Sequence, residues 1–172
     1  MAKVAFIIDE MYEDSEFKVP YDRVKEAGHE AVIVGLVSGK KLKGKKGDVT
    51  ITAEKSIDEV SAEEFDALVI PGGYSPDKIR TNAGMVSIVK SVFSADKPVA
   101  AICHAGWMLA EAGILQGKTV TSWPSIKTDL VNAGAEWVDQ EVVEDGNLIT
   151  SRKPDDLEAF TKTLLSQIEQ RS

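Results

Sequence analysis

Residues 99–106 read VAAICHAG: four apolar residues, then the only cysteine of the chain, one of its two histidines, and the small pair Ala105 and Gly106. A run this short that is apolar at every position suits a strand covered on both faces, as in the interior of a parallel sheet. Three runs of the same kind precede it, Val4 to Ile8, Ala31 to Val37 and Ala67 to Ile70. Between them apolar residues return at helical spacing: Phe17, Tyr21 and Val24 ahead of Gly28, then Met85, Ile88, Val89 and Val92 ahead of Pro98. Strand and helix alternate, which predicts right-handed crossovers and a parallel sheet with helices on both faces.

Beyond Cys103 the spacing predicts a helix over Trp107 to Ala112, a strand over Lys118 to Ser122, and a helix over Ile126 to Asn132 that stops at Gly134. Pro154, Asp155 and Asp156 open a last helix that carries Leu157, Phe160, Leu164 and Ile168 on one face. The stretch 40–55 breaks the alternation. Its first part, KKLKGKKG at 40–47 with five lysines, reads as a solvated hairpin appended to the main sheet, with a structural role.

With 172 residues, 43% apolar and 28% charged, the chain reads as one domain over 1–172 with a core of its own. A single cysteine forms no internal disulfide, and MAKVAFIIDE enters a strand-like run without a basic and apolar leader, so a reducing, cytoplasmic setting is expected. A net charge of −8 opposes generic binding to nucleic acid and to anionic membranes.

In open α/β sheets functional groups gather beyond the carboxyl ends of the strands, and Cys103 falls at such an end. A tight turn through His104, Ala105 and Gly106 would make a nucleophile elbow with the sulfur at a helix N-terminus. The amides and dipole there favour the thiolate and predict a pKa below the free-thiol value of about 8.5. The plainer reading of a lone cysteine is a small buried hydrophobe. Gly72 and Gly73 end another strand, where bare backbone N–H groups either meet an oxyanion or merely turn the chain. Asp9, Glu10, Glu13, Asp14 and Glu16 follow the first strand and read mostly as surface charge. One of them turned inward would be desolvated, hold its proton and donate to a thiolate. The three strand ends are expected to share a cleft. His29 reads as structural, and two separated histidines with one cysteine call for no metal and no cofactor.

Jointly and in this order, EDSEFKVP (13–20), EEFDALVIPGGYSPDKIR (63–80), KPVAAICHAG (97–106) and NAGAEWVDQEVVEDGNLITSRKPDDLEAF (132–160) resemble the PfpI branch of the ThiJ/PfpI superfamily. Its members are described as intracellular proteases, general stress proteins or deglycases. The resemblance covers nearly the whole chain and implies a flavodoxin-like three-layer sandwich, similar to that of class I glutamine amidotransferases. Carried over by motif, it implies Cys103 as the nucleophile, Glu16 as the acid at its sulfur and Glu13 as support. His104 then resembles the family histidine that pairs with an acid from an adjacent subunit, a position held here by Asp77 where the family more often has Glu. Ala105 also departs from the commoner Gly-Pro continuation after Cys-His.

The implied activity is a cysteine-dependent hydrolase or lyase of deglycase or glyoxalase type, acting on a small reactive carbonyl or a modified protein. Gly73 and His104, with Gly72, would supply oxyanion donors, and Tyr74 and Trp123 would line the pocket. Two alternatives use the same thiol: an intracellular peptidase with an intersubunit Cys-His-Asp site, and a non-enzymatic redox sensor. Assembly is expected to be a homodimer or a hexamer of dimers, with the His104 side chain turned from the sulfur toward the molecular edge.

Overall fold

The computed structural model describes residues 1–171. Its strands are β1 (Lys3–Ile7), β2 (Glu30–Gly35), β3 (Lys41–Lys43), β4 (Thr50–Thr52), β5 (Lys55–Ser56), β6 (Ala67–Ile70), β7 (Val99–Ile102), β8 (Thr119–Val120), β9 (Glu136–Trp137), β10 (Val142–Asp145) and β11 (Leu148–Ser151). The α-helices are α1 (Asp14–Glu26), α2 (Ser75–Ile79), α3 (Ala83–Ser94), α4 (Gly106–Glu111), α5 (Lys127–Asn132) and α6 (Leu157–Gln170). Seven strands form the main sheet in the order β10-β11-β7-β6-β1-β2-β5. Every pairing in it is parallel except β10 with β11 at one edge.

The predicted double burial is visible residue by residue. Along β1, Val4 and Phe6 join Phe17 and Val24 of α1 and Phe160 and Leu164 of α6 in one core. Ala5 and Ile7 point to the opposite face and pack with Met85 and Val89 of α3 and Met108 and Leu109 of α4. Successive residues of a strand face opposite sides, so only a strand apolar at every position satisfies both layers. Each fully buried Phe or Ile stabilises the fold by about 1.5–3 kcal/mol. The N-terminus of α3 is closed by Asn82, whose Oδ1 accepts the Met85 N–H at 2.9 Å.

The stretch 40–55 departs from expectation in place. β3 and β4 make a separate two-stranded antiparallel sheet, while β5 alone reaches the main sheet, beside β2. The strand expected over Lys118 to Ser122 shortens to β8, paired with β9 outside the main sheet. The hairpin of β10 and β11 was not anticipated, because Thr150 and Ser151 interrupt the apolar run although both are buried. Thr150 Oγ1 resolves its polarity by accepting the Thr121 N–H at 3.0 Å. Among the described residues, no helix is long and apolar enough to cross a membrane.

Candidate active site

Cys103 leaves β7 with a φ of 64°, a left-handed conformation uncommon for a residue with a side chain. A three-residue 3-10 turn, Cys103–Ala105, leads from it into α4, so strand, strained residue and helix form the elbow expected from the sequence. Gly106 opens α4 beneath it. A Cβ there would lie 2.9 Å from Leu130 Cδ1, so a larger residue would require the Leu130 side chain to shift.

Cys103 is 8% exposed and lines an open pocket of about 390 Å³. Glu13, Glu16, His104 and Trp123 line it with Cys103, together with Lys45, Lys46 and the turn Lys153 to Asp155. His104 does not turn away from the sulfur as expected: its Nδ1 stands 3.2 Å from Cys103 Sγ. The reason is aromatic packing. The imidazole sits 5.2 Å from the Trp107 ring and 6.3 Å from the Trp123 ring, which hold it over the elbow. Its Nε2 meets Ser125 Oγ at 3.4 Å, a neighbour that sequence spacing does not reveal. Burial, and then the charge of Lys45, lower the His104 pKa, so the ring is neutral at physiological pH.

Glu16 is the inward-turned acid. It is fully buried, and its Oε1 accepts the Gly72 N–H at 2.9 Å. Its Oε2 is buried without a hydrogen bond of regular geometry, and the Cys103 thiol is near enough to interact with the carboxyl. Gly72 is therefore committed to Glu16 and is not free as an oxyanion donor. A Cβ on Gly72 would sit 2.5 Å from Glu16 Oε1 and 2.8 Å from Cys103 Cβ, so the glycine permits the contact between acid and thiol. Gly73 adopts a φ of 80° and bridges Tyr12, and its N–H points to Cys103 along with that of His104.

Burial pushes Glu16 up to about 8, with the nearby Glu13 adding to it. Burial likewise pushes the Cys103 thiol up to about 12, and the Glu16 carboxylate reinforces the shift. The expectation of an acidic resting thiol is thus not met. The two N–H groups of Gly73 and His104 pull the pKa down, but the helix behind them is short, and desolvation outweighs their effect. Near neutrality the site holds a protonated Glu16 and a neutral His104 on either side of a thiol. Their pKa values are displaced in opposite directions, the pattern of an acid and a base assigned to separate tasks.

Glu13 and Asp14, expected mostly at the surface, are buried as well. Glu13 binds Lys45 Nζ at 3.1 Å and Lys46 Nζ at 2.8 Å, which brings the supposedly structural lysine hairpin to the rim of the pocket. Asp14 fixes that hairpin by accepting the N–H groups of Lys46, Asp48 and Val49 at 2.9, 3.0 and 2.9 Å. Burial alone would raise its pKa, but these bonds outweigh it and hold the carboxyl below its usual range. Asp14→Asn is expected to lower stability by about 2–3 kcal/mol, since the amide presents an N–H where a donor already points. A denaturant midpoint unchanged from wild type would contradict this account.

Asp77 is exposed on α2 and does not line the pocket, and Tyr74 is 60% exposed outside it. His29 accepts the Ala2 N–H at Nδ1, 3.0 Å away, which ties the start of β1 to the turn before β2. Among the described residues no three side chains of His, Cys, Asp or Glu converge in a way that would hold a metal ion.

Residues 2–167 match the model of the DJ-1/PfpI family. Protein/nucleic acid deglycase 2 of Escherichia coli (strain K12) is 46% identical over 164 residues, 95% of each chain. General stress protein 18 of Bacillus subtilis (strain 168) is 44% identical over 168 residues, 97% of this chain and 98% of that protein. The backbone superposes with a TM-score of 0.97 and 44% identity on a two-domain protein of Anabaena variabilis that has a DJ-1/ThiJ/PfpI-like and a ferritin-like domain. That match covers 98% of this chain and 48% of the two-domain protein, so this chain spans about half its length.

Proposed function

This chain belongs to the DJ-1/PfpI family, and from that premise we propose that it is a cysteine-dependent enzyme that removes reactive carbonyls such as methylglyoxal, or their adducts on proteins. Relatives named deglycase and general stress protein support the class. The observation that carries the reading is the convergence on one sulfur of a neutral imidazole at 3.2 Å, a buried proton-bearing carboxyl, and two backbone N–H groups.

In this mechanism His104 Nδ1 takes the thiol proton as the carbonyl carbon approaches, and the sulfur adds to that carbon. The S–C bond forms, the carbonyl π pair moves to oxygen, and the N–H groups of Gly73 and His104 hold the oxyanion until Glu16 protonates it. With methylglyoxal the product is a hemithioacetal. Loss of the proton on its carbon and return of a proton to the neighbouring carbonyl carbon, with the hydroxyl proton passing to the former carbonyl oxygen, give a thioester of lactate, which water hydrolyses to free Cys103. No external oxidant or reductant enters. An adduct of methylglyoxal with an amine supplies the same carbonyl after expulsion of the amine.

Peptide cleavage asks for a third group that orients the imidazole. Within the chain that position is taken by Ser125, and Asp77 does not line the pocket, so a peptidase of the Cys-His-Asp kind would draw that carboxylate from a second copy. The deciding experiment incubates the protein with methylglyoxal and with its adduct on N-acetylarginine, and measures lactate per subunit. Many equivalents are expected. Consumption that stops near one equivalent would leave a redox or scavenging thiol, and new peptide N-termini from an unfolded protein substrate would favour the peptidase.

A further inference from the structure

We propose that the Cys103 site prefers carbonyl compounds that carry a nearby anionic group over their neutral counterparts, with Lys153 as the specificity-determining cation and Lys45 and Lys46 completing a cationic rim. The inference rests on the carbonyl reading above and narrows its substrate class.

The whole chain carries a net charge of −8, yet its pocket faces the other way. Lys45, Lys46 and Lys153 stand against two carboxylates, Glu13 and Asp155. Lys45 and Lys46 share the carboxylate of Glu13, at 3.1 and 2.8 Å, and Asp14 and Asp48 also act on Lys46, so these two lysines are largely matched and the lining cation left over is Lys153. The Lys153 side chain is half-buried, and among the described residues its ammonium has no hydrogen bond and no ion pair. Glu16 adds no negative charge near neutrality, because it is pushed up to about 8 by burial.

A lysine at a pocket mouth is often just solvated, but both lysine-bearing segments are fixed by buried aspartates. Asp14 pins residues 46–49 through three backbone N–H groups. Asp156 accepts from Arg152 N at 2.9 Å and from its Nε and Nη2 at 3.0 Å each, while the Asp156 N–H returns to the Lys153 carbonyl at 2.9 Å. Pro154 restricts the backbone next to Lys153. Each desolvated aspartate costs free energy that a freely solvated lysine would not require, and each holds a cation at the same opening. An acidic protein repels small anions at long range, and a local cationic rim reverses that field where the sulfur lies.

The test compares alkylation of Cys103 by iodoacetate and by iodoacetamide in the intact protein. The two reagents share one reaction, in which sulfur displaces iodide, and differ in one negative charge. A change in thiol pKa alters both rates together and cancels in their ratio, so the ratio reads the pocket's charge alone. The iodoacetate/iodoacetamide ratio is expected to exceed that of N-acetylcysteine. Lys153→Gln should lower it roughly threefold to tenfold, Lys153→Arg should keep it, and 1 M salt, with a screening length of about 3 Å, should compress it.

Lys25→Gln, on the far end of α1, should leave the ratio unchanged. A wild-type ratio equal to that of the small thiol, or one that Lys153→Gln does not move, overturns the proposal. Because alkylation needs no turnover, absence of lactate would count against the carbonyl reading without touching this result. The source of the anion is resolved by protection of Cys103 against iodoacetamide. Glyoxylate is compared with glyoxal for a carboxylate, and glyceraldehyde 3-phosphate with glyceraldehyde for a phosphate. Failure of both anions to protect better than their neutral counterparts also overturns the proposal.

Discussion

Cys103→Ser is expected to cut lactate formation from methylglyoxal by roughly 10³-fold or more while the fold survives. Serine has the same shape and accepts the same left-handed backbone, so the elbow and the N–H groups of Gly73 and His104 stay in place. What disappears is reactivity. A neutral imidazole with a lowered pKa can take a proton from a thiol, whereas a hydroxyl is many orders of magnitude less acidic and a poorer nucleophile toward this carbonyl. The remaining donors and Glu16 would still bind and polarise the substrate, and that supports a residual rate above the uncatalysed one. A serine variant within tenfold of wild type would remove Cys103 from the nucleophile's role. Thermal unfolding of the variant within a few degrees of wild type shows that the loss is chemical and not a loss of fold.

The parts of this molecule legible in the sequence are those whose signal is local. Val99–Ile102 and Ala67–Ile70 match observed strands because double burial forces apolar residues at every position. Cys103 and Glu16 were legible as strand-end chemistry once the family resemblance singled out Glu16 among its acidic neighbours. The rest depended on long-range pairing. That Asp14 is buried follows from three N–H groups about 32–35 residues away, and the lysine hairpin reaches the pocket only through that anchor. Lys153 and Ser125 arrive beside Cys103 by packing of distant turns, with no periodicity to mark them. The direction of the Cys103 shift is hidden from the sequence for a similar reason: the helix N-terminus is written there, while desolvation by the surrounding fold is not.

Glu16→Gln is expected to make the protein more stable and less active, with the two effects separated by pH. In the folded chain Glu16 titrates at about 8 against an ordinary value near 4.5, so between those limits the folded state holds a proton that the unfolded state has released. Stability therefore falls as pH rises from about 4.5 to about 8, and the contribution is fully present only below that window. At pH 7 the burden on the wild type is on the order of 3 kcal/mol. Glutamine keeps an acceptor for the Gly72 N–H and offers an N–H toward the sulfur, yet has no proton to lose. Its melting temperature should exceed that of wild type by roughly 5–10 °C at pH 7 and converge with it near pH 4.5. The same substitution removes the acid that protonates the oxyanion, which should lower turnover about 10²-fold and abolish the fall in kcat/KM expected of wild type above pH 8. Equal melting curves at pH 7 would mean that Glu16 is ionised in the folded protein, and a retained alkaline limb in the glutamine variant would assign that proton to another group. Stability given up at a buried carboxyl is thus the physical counterpart of having a proton donor poised beside the sulfur near neutrality.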